Sequence, residues 1–324
     1  MQPPSRRTFL ALGLITLTTA CTSSGTGPDV TPGDKSPDPD TPVRLRAVAA
    51  TDTLLAAYDT LLATAGAQTT LLKTLRAETA QHRAALADGI PAPTPTTPTP
   101  TTTPPSATPT PTPAALATLE RQTAQARLAD LGAARPPLAR LLASVAAANT
   151  LHAASLGAPA DQPTPTASGT PTPTTTPGAV LPALQKALSA EHAAVYGYGV
   201  VGAHLPEDQQ RTDARTAYAA HQAQRDAWQR LVTTLGATPT PAAGGYQLPF
   251  PVTDPTTATK LAAHLETSLT TVYADLVADL PAPHRPTAAT ALRDCTLRAH
   301  RWGAPDTPFP GIPDPLPTPT PTPT

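Results

Sequence analysis

The stretch that decides the fold is residues 183–205, which read ALQKALSAEHAAVYGYGVVGAHL. Apolar residues recur in it at intervals of three and four, as they do on one face of an α-helix. Stepping from Leu188 by three residues reaches Glu191, and a further seven reaches Tyr198. The pattern therefore predicts a helix whose buried face carries an acidic side chain.

Seven other segments show the same periodicity, so that four helices are expected in residues 43–158 and four in residues 179–304. Each set fits an antiparallel four-helix bundle. No pair of strand-like runs joined by a turn is found in the sequence. The prediction is an all-α fold of two antiparallel four-helix bundles. Residues 238–253 are rich in Pro and Gly and are expected to cross between two helices of the second bundle, either covering a groove with Tyr246 and Phe250 or packing as a plain connection.

Proline supplies 44 of the 324 residues, whereas aromatic residues make up only 3%. Proline at this density excludes one globular fold over the whole length, because it blocks helix interiors and sheet ladders. The Thr/Pro-rich segments are expected to be disordered linkers, since they bury too little apolar surface. They are a stalk at 22–42, a linker at 91–113 inside the first bundle, a linker at 159–178 and a tail at 305–324. The net charge of −1 argues against nucleic acid as a partner.

The first 21 residues read MQPPSRRTFLALGLITLTTAC. Their apolar run is too short to span a bilayer, and small residues follow it, which is typical of a signal peptide. The segment around Arg6 and Arg7 resembles the twin-arginine export signal, and the residues before Cys21 resemble a lipobox. We therefore expect lipid on Cys21 and a location on the outer face of the cell membrane; a soluble secreted protein is the alternative. Lipidation would leave Cys295 as a packed, unpaired thiol.

Three polar side chains fall on the apolar stripes of the second bundle, one on each of three helices: Glu191, His221 and Glu266. Carboxylate and imidazole groups on facing helices are the ligands of di-metal bundles. Arg225 lies one helical turn beyond His221, where it could neutralise one of the acids. The same residues thus predict either a metal site or a buried polar network.

Residues 179–303 resemble a ferritin-like domain of unknown function found in exported proteins of high-GC Gram-positive bacteria. The resemblance is carried by AEHAAVYGYG at 190–199 and by HQAQRDAW at 221–228. The first four helices show a more distant resemblance to the same superfamily through LARLLASVAAANTLHAASL at 138–156. The resemblance implies a four-helix fold and, where the ligands are complete, a di-metal centre.

The ligands implied by this resemblance are incomplete. Glu191 and Glu266 match the lone acids of the first and third helices, and His221 matches the histidine of the second. The Glu expected three residues before that histidine is Tyr218, and the fourth helix has no such pair at His300. We therefore expect a structural network of Glu191, His221, Arg225 and Glu266 and no metal.

The first bundle is similarly depleted of ligands. Glu78 and His82 are four residues apart, whereas a metal-binding pair would be three apart. Asn149 precedes His152 by three residues but has an amide in place of a carboxylate, and Glu120 is the remaining acid near a stripe. No metal is expected here either.

Together these features predict an exported, lipid-anchored protein of the cell envelope with a non-catalytic binding or scaffolding role and no cofactor. Its expected partners are membrane lipid, through Cys21, and an envelope component that the sequence does not identify. The main alternative is an iron or manganese di-metal oxidase, or a metal-handling protein, that uses Glu191, His221 and Glu266. A third possibility is a small apolar ligand bound between the Ala-rich helices.

Overall fold

The computed structural model describes residues 38–64, 66, 68–90, 112–158, 177–206 and 208–313. These residues form eight α-helices and two short 3-10 turns, and they contain no β-strand, which confirms the predicted all-α class. The helices are α1 Thr41–Leu62, α2 Thr69–Ala87, α3 Pro113–Ala129, α4 Pro136–Ser155, α5 Pro177–His204, α6 Gln209–Thr234, α7 Pro255–Asp279 and α8 Arg285–Arg301. None of them is both long and apolar enough to cross a lipid bilayer.

Several predicted features lie outside the described residues. They are the export signal with Arg6 and Arg7, the lipidation site Cys21, and most of each Thr/Pro-rich segment. Helices α1, α3 and α5 begin within the last two residues of the predicted Thr/Pro-rich segments that precede them, so each of these predicted segments ends one or two residues too late. Helix α3, for example, begins at Pro113, and the hydroxyl of Thr112 accepts from the Ala115 amide at 3.1 Å. A Thr-Pro pair at the edge of a linker is also a good helix start, because threonine caps and proline fits the first turn.

We call α1–α4 the N-terminal set and α5–α8 the C-terminal set. In the N-terminal set α1 packs against α2 and α3, and α4 packs against α2 and α3. In the C-terminal set α5 packs against α6 and α7, and α8 packs against α7. Helix α4 also packs against α7 and α8, and most of its Ala-rich surface is buried. One hydrophobic core therefore runs through both sets, an arrangement on which the sequence was silent.

The Pro- and Gly-rich crossover between α6 and α7 is a packed connection. The side-chain amide of Gln185 on α5 donates to the Thr238 carbonyl at 2.7 Å and accepts from the Thr240 amide at 2.8 Å. Phe250 packs into the apolar cluster between α5 and α7. At the end of the crossover, Asp254 and Thr257 form a reciprocal capping box that fixes the start of α7.

The C-terminal segment corrects one prediction. We expected residues 305–324 to be a disordered tail, but residues 305–313 fold back onto the helices. Phe309 is only 2% exposed, and Ile312 packs against the core. These two apolar residues anchor a proline-rich segment that composition alone marks as disordered. Residues 314–324 lie outside the described residues.

Candidate functional site

All four helices of the C-terminal set contribute to a buried polar group that we call the C-terminal centre. It consists of Glu191 and Tyr198 on α5, His221 on α6, Glu266 and Tyr273 on α7, and Arg298 on α8. The side chains of Glu191, His221 and Glu266 are at most 1% exposed. The structure thus brings together the three residues that the sequence singled out.

His221 lies between the two acids. Its Nδ1 donates to Glu191 at 2.8 Å, and its Nε2 lies 3.1 Å from Glu266. Burial alone would lower the pKa of His221, but the two carboxylates outweigh it and raise the pKa to about 9. At neutral pH the ring is therefore an imidazolium that donates from both nitrogens.

One oxygen of Glu266 accepts three hydrogen bonds. Its Oε1 accepts from the Tyr198 hydroxyl at 2.6 Å, from the Arg298 guanidinium at 2.7 Å and from His221. Burial would raise the pKa of Glu266, but the two cations outweigh it and lower the pKa to about 2. Its second oxygen, Oε2, is buried and has no hydrogen-bond partner among the described residues.

Glu191 is held from the opposite side. The Tyr273 hydroxyl donates to Glu191 Oε1, and the Trp228 indole donates to that hydroxyl at 3.2 Å. Burial raises the pKa of Tyr273, and the neighbouring carboxylate raises it further, so the phenol stays protonated. Both carboxylates of the centre therefore accept from a tyrosine and from His221.

The prediction that Arg225 neutralises these acids is wrong. Its guanidinium lies 2.7 Å from the carboxylate of its neighbour Asp226, whereas Glu191 is bound by His221 and Tyr273. Arg298 supplies the second positive charge instead. The sequence contained a signal for Arg298, because Cys295 falls on the predicted apolar stripe and a residue three positions later lies on the same side of the helix.

The C-terminal centre is electrically neutral as a whole, because two carboxylates face one imidazolium and one guanidinium. This donor set does not fit the di-metal centre that the resemblance implies. Both nitrogens of His221 are engaged by carboxylates, and Arg298 is a fixed cation on Glu266. In the described part of the chain, no group of three or more His, Cys, Asp or Glu side chains is arranged to hold a metal ion.

The N-terminal set contains a second buried polar group, the N-terminal centre. In it His152 on α4 lies between two acids, with Nε2 at 2.8 Å from Glu78 on α2 and Nδ1 at 3.3 Å from Glu120 on α3. Burial would lower the pKa of His152, but Glu120 and Glu78 outweigh it and raise the pKa to about 9. Here too an imidazolium joins two carboxylates.

A tyrosine, an asparagine and an arginine complete the N-terminal centre. Glu120 accepts from the Tyr58 hydroxyl at 2.6 Å and from the Asn149 side-chain amide at 2.5 Å. Arg127, which the sequence analysis missed, donates to Asn149 Oδ1 at 2.6 Å and to the Thr51 hydroxyl at 2.8 Å. Burial lowers the pKa of Arg127 to about 10, so the guanidinium remains charged at neutral pH.

His82 lies beside the N-terminal centre without bonding its acids. Its Nε2 lies 2.7 Å from the backbone oxygen of Pro308, and its ring stacks on His152 with 5.7 Å between ring centroids. Burial and the adjacent charges of His152 and Arg127 hold the pKa of His82 well below its usual range. The ring is neutral and donates to the carbonyl.

A family model matches the C-terminal set. Residues 183–314 match a family described as a domain of unknown function (DUF4439). Among solved structures, the chain is similar to the crystal structure of a conserved hypothetical protein, rv2844, from Mycobacterium tuberculosis. The identity is 34%, the match covers 40% of this chain and 97% of that chain, and the TM-score is 0.37. No curated protein matched the sequence. Residues 183–314 are a DUF4439 domain.

Proposed function

We propose that this protein is an exported, lipid-anchored module of the cell envelope that binds or scaffolds other envelope components without catalysing a reaction. In this proposal α1–α4 and α5–α8 are two ferritin-like four-helix bundles, joined by Thr/Pro-rich linkers. The export and anchoring part of the proposal depends on Arg6, Arg7 and Cys21, whose sequence context resembles a bacterial lipoprotein signal.

The contact between Arg298 and Glu266 is the observation that carries the non-catalytic part. A di-metal bundle keeps its inward carboxylates available as ligands. Here Glu266 accepts from a guanidinium at 2.7 Å and from the imidazolium of His221. The positive charges that metal ions would bring to this position are already supplied by side chains, so the centre serves to hold the helices together.

A di-metal oxidase that uses Glu191, His221 and Glu266 would have to take these contacts apart. His221 would lose a proton from a group whose pKa is about 9, and the partly buried Arg298 would lose its carboxylate partner. A buried charge that loses its partner costs several kcal/mol. Metal binding therefore competes with three ion pairs that are already formed in the centre.

Metal content tests the non-catalytic part directly. The chain from residue 22 to 324 is incubated aerobically with ferrous iron or with manganese, desalted and measured by mass spectrometry. We expect less than about a tenth of an equivalent of either metal. About two equivalents, lost in Glu191→Ala and Glu266→Ala but kept in the surface control Asp226→Asn, would establish the oxidase alternative.

Anchoring is tested in cells with a labelled fatty acid. We expect label on the wild-type protein and none on Cys21→Ser, which should also leave the membrane fraction. Replacing Arg6 and Arg7 with lysine should block export and leave precursor inside the cell. Label that persists in Cys21→Ser would contradict the proposed anchor, and normal export of the double-lysine variant would contradict the twin-arginine signal.

A further inference from the structure

Residues 305–313, which we call the clasp, leave the end of α8 and lie against helices of both sets. The Phe309 side chain is buried in a small apolar cluster with Ala85 on α2 and Val145 on α4. Its ring also meets the edge of His82, with 5.3 Å between ring centroids. The clasp thus begins in the C-terminal set, and its Phe309 side chain lies in a groove of the N-terminal set.

Side chains of α2 and α4 bind the backbone of the clasp. His82 on α2 donates to the Pro308 carbonyl at 2.7 Å, and Ser144 on α4 donates to the Pro310 carbonyl at 2.8 Å. Both bonds replace hydrogen bonds to water that a proline-rich chain would otherwise make, so the carbonyls on either side of the buried Phe309 keep a partner. The groove therefore has a built polar lining as well as an apolar pocket.

The clasp adopts a turn that its sequence specifies. The Ile312 amide donates to the Phe309 carbonyl at 3.0 Å, and Gly311 has a φ of +77°. Pro followed by Gly is the typical pair for such a turn, because the glycine position needs a positive φ. Gly311 also lies directly against the backbone of Thr270 on α7, where no Cβ would fit.

The clasp and the groove that holds it belong to different parts of the chain. The DUF4439 match spans residues 183–314, so the clasp belongs to that domain, whereas α2 and α4 precede it. We propose that the groove between α2 and α4 is a recognition site for the Phe-Pro-Gly-Ile turn of the DUF4439 domain. The clasp and the contact of α4 with α7 and α8 hold the two sets as one body without help from residues 159–176. This inference does not depend on the proposed export or on the absence of metal.

Cutting the chain between the two sets tests the proposal. A protease site replaces part of residues 159–176 in the otherwise complete chain, and the purified, folded protein is cleaved there. The expected result is that both fragments elute together from a size-exclusion column at micromolar concentration. Fragments that separate after cleavage would overturn the proposal.

Clasp variants then show whether this segment is the cause. In the cleaved protein, Phe309→Ala and Gly311→Ala should each weaken the association of the fragments at least tenfold. Phe250→Ala and Gly244→Ala are matched controls, because both positions lie in the crossover of the C-terminal set and Gly244 has open space around it. Equal dissociation in clasp and control variants would overturn the proposal.

A variant that merely unfolds is recognised by two further measurements. Phe309→Leu keeps an apolar side chain in the pocket and should restore association to within a few-fold of the wild type. In the uncut chain, hydrogen exchange of Phe309→Ala should rise in α2 and α4 around residues 82–86 and 141–145 and stay unchanged in α6. Increased exchange throughout the chain, together with no rescue by leucine, would count against a local clasp.

Discussion

The N-terminal and C-terminal centres follow the same spacing but distribute their charges differently. On the first helix of each set a polar residue precedes a tyrosine by seven positions, Thr51 before Tyr58 and Glu191 before Tyr198. On the third helix of each set an acid precedes a hydrogen-bond donor by seven positions, Glu120 before Arg127 and Glu266 before Tyr273. On the fourth helix two inward-facing residues are three positions apart, Asn149 and His152 in one set and Cys295 and Arg298 in the other.

What differs is which helix carries each cation. The imidazolium comes from the fourth helix in the N-terminal centre and from the second in the C-terminal centre, as His152 and His221. The guanidinium comes from the third helix as Arg127 and from the fourth as Arg298. Each centre nonetheless contains two carboxylates and two cations. Both buried groups are neutral overall, because an unpaired buried charge is costly. The helices that carry the charges differ between the two sets.

The sharpest difference is the partner of each arginine, and it predicts the largest effect. Arg298 binds a carboxylate, whereas Arg127 binds the neutral groups of Asn149 and Thr51. Arg298→Met should destabilise the protein by up to about 3–5 kcal/mol, because the two buried carboxylates of the centre would then face the single imidazolium of His221. Arg127→Met should cost only about 1–3 kcal/mol, from two acceptors that lose their donor. Urea unfolding at pH 7 measures both.

A second variant distinguishes charge from packing in this comparison. If the loss in Arg298→Met comes from the excess negative charge of the centre, adding Glu266→Gln should recover a large part of it. No recovery in the double variant, or equal losses for the two arginines, would contradict the proposed role of the Arg298–Glu266 pair.

The two imidazoliums predict a shared dependence on alkaline pH. The pKa values of His152 and His221 are raised to about 9 in the folded protein, against about 6.5 in an unfolded chain. Each contribution is therefore complete below pH 6.5 and is lost as the pH rises through 9, by on the order of 3 kcal/mol. Free energies of unfolding at pH 6 and pH 9.5 test this. The single variants His152→Gln and His221→Gln should each remove part of the difference, and an unchanged difference in either would contradict the assignment of that ring.

The sequence was sufficient for the helices and for the acids of the centres, because both follow from periodicity. Glu191 and Glu266 fall on apolar stripes, and an acid on a buried stripe has to find a partner. Their cations were harder to predict. Long arginine side chains reach across helices, so Arg225 on the expected face turns to Asp226 while Arg298, beside the stripe, reaches Glu266.

The clasp shows a different limit of sequence analysis. Composition marks residues 305–324 as a linker, and the Thr-Pro repeat at its end supports that. The order of residues 305–313 depends on a groove between α2 and α4. His82 on α2 is 226 positions away from Pro308, and Ser144 on α4 is 166 positions away from Pro310. No local pattern encodes such a contact, although the isolated Phe309 and the Pro-Gly pair are the signals that a closer reading could have used.

His82 has no counterpart in the C-terminal centre and predicts the opposite pH dependence. Its pKa is held low by burial and by the adjacent charges of His152 and Arg127, so the folded protein resists its protonation. Stability should therefore fall as the pH drops below the unfolded value of about 6.5, by on the order of 1 kcal/mol between pH 6.5 and 5.5. His82→Gln should flatten this acid limb, whereas the exposed control His300→Gln should not. A limb of equal slope in both variants would assign the effect to another group.

The smallest expected effect on stability concerns Cys295, which corresponds in position to Asn149 of the N-terminal centre. Each of the two residues accepts a hydrogen bond from the arginine of its centre. The thiol is buried and meets Arg298 at 3.3 Å, and burial raises its pKa well above the usual range. Cys295→Ala should cost only about 1 kcal/mol, because it removes one weak acceptor and little volume. In a Cys21→Ser background, maleimide should react with Cys295 no faster than the protein unfolds, because the reactive thiolate is absent from the folded state. Fast labelling of the folded protein would mean that solvent reaches the interior of the C-terminal centre, which would contradict the burial of Cys295.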